Sequence, residues 1–495
     1  MSKSNSTSFF ASDPTWTSRL VEIPAHEYRS EFQRDRDRIL YSKEFRRLSG
    51  KTQVFATGFD DNMRTRLTHT LEVAQIANTI SKALSLNTDL TEAIAYGHDV
   101  GHTPFGHIGE RTLNHIMNGC FNFFNYNGAL RDDEKGFKHN LQSVRVVSQL
   151  ESESETEPGL NLTKYTIWGI LNHTSKAFGH CDYHNDSGRH CRYVNSDNTC
   201  EDGKLSLGFY ENSLVYKGNP ILDDCEDWSF EGIVVSVADE IAQRHHDIED
   251  GIYAGLIDQT ELTEFIIDKL SRDDTTKKRI SDAGKATGYN AKEMFISSIS
   301  KAIVDLYVNE FITTGRAALL GIKDKYSITS TNCFRDLKSK IYKDYKDPVN
   351  HIDITSALAF NKDFTIRDKE VKAYLMTHIL QSELAQSMDG KASYIIRQLV
   401  KAYLTNPQQL PDATIIRLVK NIGDHESKVL IEEKKPGATV ASQARKELAK
   451  RLKEGNGLTC RLLLRSICDY IAGMTDQFAY KQYENLYGTH MKSFG

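Results

Sequence analysis

The sequence predicts an all-α protein, with a helical core followed by an extended helical C-terminal region. Apolar residues recur at three- and four-residue spacing along most of the chain, the period of a helix with one buried face. Period-two alternation, the mark of a half-buried strand, is confined to short stretches near 213–216 and 351–356. Proline is scarce, 9 among 495 residues, and no repeat of 20–50 residues is visible, which leaves linker-rich, collagenous and solenoid architectures without support.

Taken in order, residues 1–25 read as a flexible tail, Ser-rich at its start. Residues 28–55 (YRSEFQRDRDRILYSKEFRRLSGKTQVF) read mostly as helix, with Phe32, Ile39, Phe45 and Leu48 as its apolar contacts. The charges of that block are either a solvated face laced with ion pairs or, through Arg46 and Arg47, phosphate donors. Residues 67–84 carry Leu67, Leu71, Ala74, Ala77 and Ile80 at helical spacing, and a second helix over 90–97 runs apolar into Gly97-His98-Asp99. An amphipathic segment at 139–150 ends in the acidic loop ESESETEP, and 231–250 is a long helix. Residues 180–225 form an irregular insertion within a core spanning 26–257. The remainder, 258–495, is patterned as helices at 291–313, 365–385, 394–404, 440–454 and 460–486, with Gly437 and Gly455 as stop signals.

Composition narrows the class. With 62 basic and 67 acidic side chains the net charge is −5, so no overall basic field attracts nucleic acid or anionic lipid. The 8 cysteines form no C-x-x-C pair and are too dilute for a disulfide framework. The N-terminal residues lack the apolar stretch of a secretory signal, and no apolar run reaches the roughly 20 residues of a membrane span. A soluble cytoplasmic protein is expected. The phosphate loop, the dinucleotide-binding glycine fingerprint, H-E-x-x-H and the nucleophile elbow are all missing from the sequence.

What is present is a set of histidines and aspartates in apolar helical settings. His69 lies between Leu67 and Leu71; alone it would read as a satisfied core histidine. His98-Asp99 closes the apolar run AIAYGHDVGH, and Asp239 interrupts GIVVSVADEIA. A bare carboxylate buried in such a run costs several kcal/mol, about the order that a bound cation offsets. His69, His98, Asp99 and Asp239 together suit Mn²⁺, Fe²⁺, Zn²⁺ or Mg²⁺. In GHTPFGHIGE, Pro104 and Gly106 make a turn, after which His107 and Glu110 stand at i and i+3 on one helix face. A carboxylate beside an imidazole sets its tautomer and raises its pKa, as a general acid near neutrality requires; a helix pair without chemistry is the alternative. His102 is either a support for the ligands or a substrate contact. Beyond Asp239, the residues Gln243, His246, Asp247 and Asp250 form a polar stripe; Asp247 is placed for a substrate hydroxyl, and Asp250 reads as solvated. His180, Cys181, His184, His190, Cys191 and Cys200 are either a structural zinc site or an insertion loop with free thiols, and their spacing fits no standard finger.

The order H…HD…D with HDxGHxPFGHxGE resembles the HD-domain phosphohydrolases, specifically the deoxyguanosine triphosphate triphosphohydrolases. FRRLSGKTQVF (45–55), RTRLTHTLEVAQI (64–76), ADEIAQRHHDIED (238–250) and DYIAGMTDQFA (469–479) extend the likeness along nearly the whole chain. The resemblance implies an HD-type core whose C-terminal region completes the substrate pocket and supplies oligomer contacts. It implies one divalent ion per subunit on His69, His98, Asp99 and Asp239, with Mn or Mg foremost and Fe, Co, Ni or Zn as alternatives. His107 and Glu110 match a catalytic dyad, Gln53 and Asp247 the positions that hold the 3′-hydroxyl, and Asn140 a polar position near the phosphates. Gln243 stands where the family often has a tyrosine beside the sugar, and LNHTSKAF (171–178) replaces a Lys-Tyr-Pro segment, leaving His173 and Lys176 as phosphate contacts by position only.

The implied activity is hydrolysis of dGTP to deoxyguanosine and inorganic triphosphate by a homo-oligomer that needs no membrane. Two alternatives stay open. One is a broader dNTP triphosphohydrolase with a nucleotide activator. The other is a non-hydrolysing module that binds nucleotides or single-stranded DNA.

Overall fold

The computed structural model describes residues 7–53, 64–121, 130–151, 159–176, 205–216, 219–270, 274–285, 291–346, 354–431 and 438–488. Its helices are α1 (Glu31–Tyr41), α2 (Lys43–Arg47), α3 (Arg66–Leu84), α4 (Thr88–Gly97), α5 (Gly106–Met117), α6 (His139–Arg145), α7 (Lys164–Asn172), α8 (Gly208–Ser213), α9 (Phe230–Tyr253) and α10 (Gln259–Leu270). They continue as α11 (Asp274–Gly284), α12 (Ala291–Lys325), α13 (Thr331–Tyr345), α14 (Lys362–Leu375), α15 (Glu383–Thr405), α16 (Asp412–Glu426), α17 (Val440–Lys453), α18 (Gly457–Ala472) and α19 (Asp476–Tyr487). Among the described residues, extended pairing is confined to Val215–Tyr216 against Asn219–Pro220 and two isolated bridges. The expected all-α class is what the chain adopts, and no described helix is long and apolar enough to cross a membrane.

The chain forms two compact units. The first comprises Met1–Val100, Ser143–Ser175 and Val215–Met388; the second comprises Gly101–Gln142, Lys176–Leu214 and Asp389–Gly495.

In the first unit, α3 packs on α4 and α9, and α7 packs on α4 and α9. Each of these helices starts on a side-chain cap: Thr65 accepts from the Thr68 N–H, Asn87 from Asp89 and Leu90, Thr163 from Thr166, and Ser229 from Gly232. Such caps satisfy donors that the first turn would otherwise leave open. Two glycines let α4 and α7 approach closely. A Cβ on Gly97 would lie 2.4 Å from Ile170 Cδ1, and one on Gly169 would lie 2.4 Å from Ile94 Cδ1. His98 and His173 follow directly at the C-terminal ends of these two helices, so the crossing sets where both rings sit.

In the second unit, Leu113, Ile116 and Met117 of α5 share a core with Ile415, Leu418, Leu463 and Ile467 from α16 and α18. The turn before α5 is tight: Phe105 and Gly106 both have positive φ, 62° and 61°. That conformation is costly for an L-residue other than glycine or asparagine. It is held by Asp476, whose Oδ1 accepts the Phe105 N–H at 2.8 Å, and by Thr103 Oγ1 donating to the Gly106 carbonyl at 3.0 Å.

Several expectations need correction. Residues 7–16 are not a loose tail: Phe10 is fully buried against Phe230 and Phe334, and Ser12 donates to Glu231 through both its N–H and its hydroxyl. The Arg-rich helix is broken at Ser42, which caps α2. Leu71 is exposed, while Thr70 and Val73 take the buried face of α3. Residues 354–357 form a 3₁₀ turn instead of a strand. The segment 460–486 is two helices, parted at Gly473–Thr475, where Thr475 caps α19. Asp250 is buried, not solvated. The six-residue Cys/His cluster between His180 and Cys200 lies outside the described residues, as does Gly437.

Candidate active site

The first unit gathers His69 from α3, His98 and Asp99 from the end of α4, and Asp239 from α9. His69 Nε2 stands 2.9 Å from Asp239 Oδ1, and His98 Nε2 stands 3.7 Å from Asp99 Oδ2 and 3.9 Å from Asp239 Oδ1. For ligand bonds of about 2.1 Å, two donors on one ion are about 3 Å apart at right angles and about 4 Å apart when opposed. The observed spacings fall in that range. His98 adds a sharper test. Its Nδ1 is 2.6 Å from the Ala95 carbonyl, which can only accept, so Nδ1 carries the proton. Its Nε2 is then a bare lone pair, buried and without a hydrogen-bond partner, directed at the two carboxylates. A lone pair buried against carboxylate oxygens is unfavourable unless a cation lies among them. The residues fit a divalent metal ion.

Burial by itself would raise the Asp239 carboxyl, but the adjacent His69, His98 and His173 side chains hold it below the ordinary range. The side chain is 21% exposed, so the cluster is reachable from one side. His173 repeats the His98 device: its Nδ1 lies 2.8 Å from the Ile170 carbonyl, and its ring is 5.0 Å from that of His98.

Arg66 is a feature that the sequence reading missed. It is buried and donates to Asp99 Oδ2, while its Nε and Nη2 have no hydrogen-bond partner. Each buried, unsatisfied donor costs about 1–3 kcal/mol, so two of them on one guanidinium mark a place for an anion. Gln53 is similar, with a buried Oε1 lacking a donor. Arg47, by contrast, is ion-paired with Glu44, and Arg29, Arg34 and Arg36 are held by Asp37, Glu31 and Glu92.

Along α9, Asp239, Gln243 and Asp247 are part-exposed at four-residue intervals, forming one accessible polar face. Behind His69 lies a second polar cluster. His246 Nδ1 faces His69 Nδ1 at 3.1 Å, and His246 Nε2 meets Glu72 Oε2. His245 Nε2 is 3.3 Å from the same oxygen. Glu72, His245 and His246 have the spacing of an ion site. Arg64, however, pairs with both Glu72 and Glu249 and already supplies the positive charge there.

The second unit holds the other predicted pair. Glu110 is buried, with Oε2 3.5 Å from His107 Nδ1. Its Oε1 accepts the His139 N–H at 3.0 Å and faces His139 Nδ1 at 2.9 Å. Burial works to raise this carboxyl, yet His139, His107 and His102 together hold it well below the ordinary range. The ionised Glu110 therefore orients two imidazoles. His107 is the accessible one, with its side chain 56% exposed. His139 is a second omission of the sequence reading, although it sits beside Asn140 in FKHNLQS and a search for histidines near that asparagine would have found it. His102 is buried and stacks on His139 with ring centroids 4.6 Å apart. Asn140 is buried in the first turn of α6, whereas Lys176 is exposed.

The HD domain family model matches residues 66–244, and that of the phosphohydrolase-associated domain matches residues 358–431 and 439–485. Full-length relatives agree. The deoxyguanosinetriphosphate triphosphohydrolase-like protein of Bordetella pertussis is 32% identical, covering 98% of this chain and 97% of its own. Its namesake in Thiobacillus denitrificans is 31% identical over 94% and 93%. That of Rickettsia bellii is 30% identical over 96% and 97%. HD domains are metal-dependent phosphohydrolases, in keeping with the His/Asp cluster. The chain belongs to the HD-domain phosphohydrolases, in the deoxyguanosinetriphosphate triphosphohydrolase-like family.

Proposed function

We propose that the protein hydrolyses dGTP to deoxyguanosine and inorganic triphosphate, using one divalent ion per subunit, Mn²⁺ or Mg²⁺. The observation that carries this reading is the convergence of His69, His98, Asp99 and Asp239 around the bare Nε2 of His98. The names of the full-length relatives support the nucleotide class.

A divalent cation on these four side chains supplies Lewis-acid polarisation of the α-phosphate and eases deprotonation of water. Arg66 offers its two unpartnered donors to phosphate oxygens. Gln53 Oε1 accepts from the 3′-hydroxyl, and Asp247, two turns beyond Asp239, lies on the accessible face for the same group. Water attacks the α-phosphorus, releasing a proton to solvent, and the bond to the 5′-oxygen breaks. His107, oriented by Glu110 and exposed at its other edge, gives its proton to the departing 5′-oxygen and is reprotonated from solvent. His173, Lys176 and Asn140 remain proposed contacts on the phosphate side, and His102, stacked on His139, is either a support of the acid–base cluster or a substrate contact. A homo-oligomeric, cytoplasmic enzyme completes the reading.

A broader dNTP triphosphohydrolase is the second reading. Gln243, part-exposed one turn beyond Asp239 where the family often has a tyrosine beside the sugar, bears on exclusion of a 2′-hydroxyl and leaves the choice of base to other contacts. Incubation of purified protein with each dNTP, singly and in mixtures, under Mn²⁺ or Mg²⁺ tests both. Triphosphate and nucleoside from dGTP alone support the narrow reading. Turnover of several dNTPs supports the broad one. Release of orthophosphate or pyrophosphate contradicts both, and single-strand binding without any hydrolysis supports a non-catalytic module.

A further inference from the structure

His69 and His98 reach the same destination by different routes. For His98 the backbone dictates the tautomer, because the Ala95 carbonyl can only accept. His69 has no carbonyl behind it; its Nδ1 faces another imidazole nitrogen, His246 Nδ1, at 3.1 Å. Only one proton fits between two facing imidazole nitrogens, and nothing in that contact says which ring owns it.

The next contact decides. His246 Nε2 lies against Glu72 Oε2, and Glu72 is paired with Arg64 at 3.4 Å. A carboxylate oxygen only accepts, so His246 Nε2 carries hydrogen and its Nδ1 is bare. That bare nitrogen accepts from His69 Nδ1, and the His69 Nε2 lone pair is turned to Asp239, 2.9 Å away. Either arrangement sets one bare nitrogen against a carboxylate, but the divalent ion proposed above relieves the contact of His69 Nε2 with Asp239, whereas nothing of the kind relieves a bare His246 Nε2 against Glu72.

We propose that Glu72 and His246 are positioning residues: a carboxylate–imidazole relay that fixes the tautomer and orientation of His69 as a metal ligand. This rests on the metal-centre reading above. It assigns a role to Glu72 and to the buried His246, whose ring no substrate contact requires. It also accounts for Arg64, which holds the Glu72 end of the relay.

The test measures Mn²⁺ affinity by chelator competition on the full-length protein, with thermal unfolding in EDTA as the check on folding. His246→Ala and Glu72→Ala should each weaken Mn²⁺ binding about 10–100-fold, the range for partners that orient a metal ligand. His246→Asn puts an amide oxygen where Nδ1 was and can still accept from His69, so it should stay within about threefold of the parent. His246→Gln, whose polar end reaches the Nε2 position, should not rescue. Parent-like Mn²⁺ affinity in the alanine variants overturns the relay, as does equal weakening by Asn and Ala, which would signal packing only. If His246→Ala fails to fold, Glu72→Ala decides, since that side chain is 36% exposed and its removal leaves no large cavity. A parent that binds no Mn²⁺ overturns the metal centre itself, a result distinct from loss of the relay.

Discussion

Asp476 lies in α19, far along the chain from the helix that carries His107, yet it accepts the N–H of Phe105 at 2.8 Å. Phe105 is held at φ 62°, ψ 26°. The left-handed region costs an ordinary L-residue about 1–2 kcal/mol. A hydrogen bond to a charged acceptor contributes about 1.5–3 kcal/mol, and a part-buried N–H left without one loses about as much. Asp476→Ala should therefore tip the turn by about 2 kcal/mol toward relaxed conformers, in which α5 starts differently and His107 is no longer presented. At about 1.4 kcal/mol per factor of ten, kcat for dGTP should fall about 30-fold. Asp476→Asn retains an acceptor oxygen and should lose no more than about threefold. The assay is steady-state release of triphosphate, with Mn²⁺ affinity measured in parallel; the latter should not change, since the proposed ligands His69, His98, Asp99 and Asp239 belong to the first compact unit. Equal kcat for the Ala and Asn variants, or Ala turnover at the parental rate, would refute this account of how the turn is held.

Other perturbations follow from the same structure. His107→Ala should abolish turnover at unchanged Mn²⁺ content; loss of metal from that variant would make His107 a ligand instead. Gly97→Ala places a methyl 2.4 Å from Ile170 Cδ1. Overpacking of about 1–3 kcal/mol against a helix-propensity gain of about 1 leaves a net cost of up to about 2. Adding Ile170→Val should raise the melting temperature of that variant, and failure to do so would mean the contact is not limiting. Asp250 is a buried carboxyl pushed up to about 7 by burial, with Asp247 and Glu249 acting in the same direction and Arg64 and His245 opposing. An unfolded aspartate titrates near 4, so between about pH 4 and 7 the native state holds a proton that the unfolded chain has released. This contribution to stability is complete at low pH and is lost as pH rises through 7. Asp250→Asn should match the parent below about pH 4 and melt increasingly higher than it as pH rises from about 4 to 7 and above; identical pH profiles would show that Asp250 is already ionised.

The helical class, and most helix positions, follow from apolar periodicity, which needs only the local chain. The candidate ligands were equally legible, because a His or Asp inside an otherwise apolar run has an electrostatic cost that the run itself announces. Periodicity specifies a face but not what meets it. Thus Leu71 was expected inside and is exposed, while Thr70 is buried. Likewise, Asp250 was expected in solvent and lies in the interior. The relay behind His69 joins Glu72 to His246 across 174 residues, and the turn before His107 depends on an aspartate 371 residues beyond Phe105. Such contacts are decided by which helices cross and how closely, here through Gly97 and Gly169, where the absence of a side chain allows an approach that hydrophobic pattern does not encode. The residue types and their spacing along each helix came from the sequence. The tautomers, the orphaned donors of Arg66 and the second imidazole on Glu110 exist only once separate helices are packed together, because hydrogen-bond geometry is a property of distance in space.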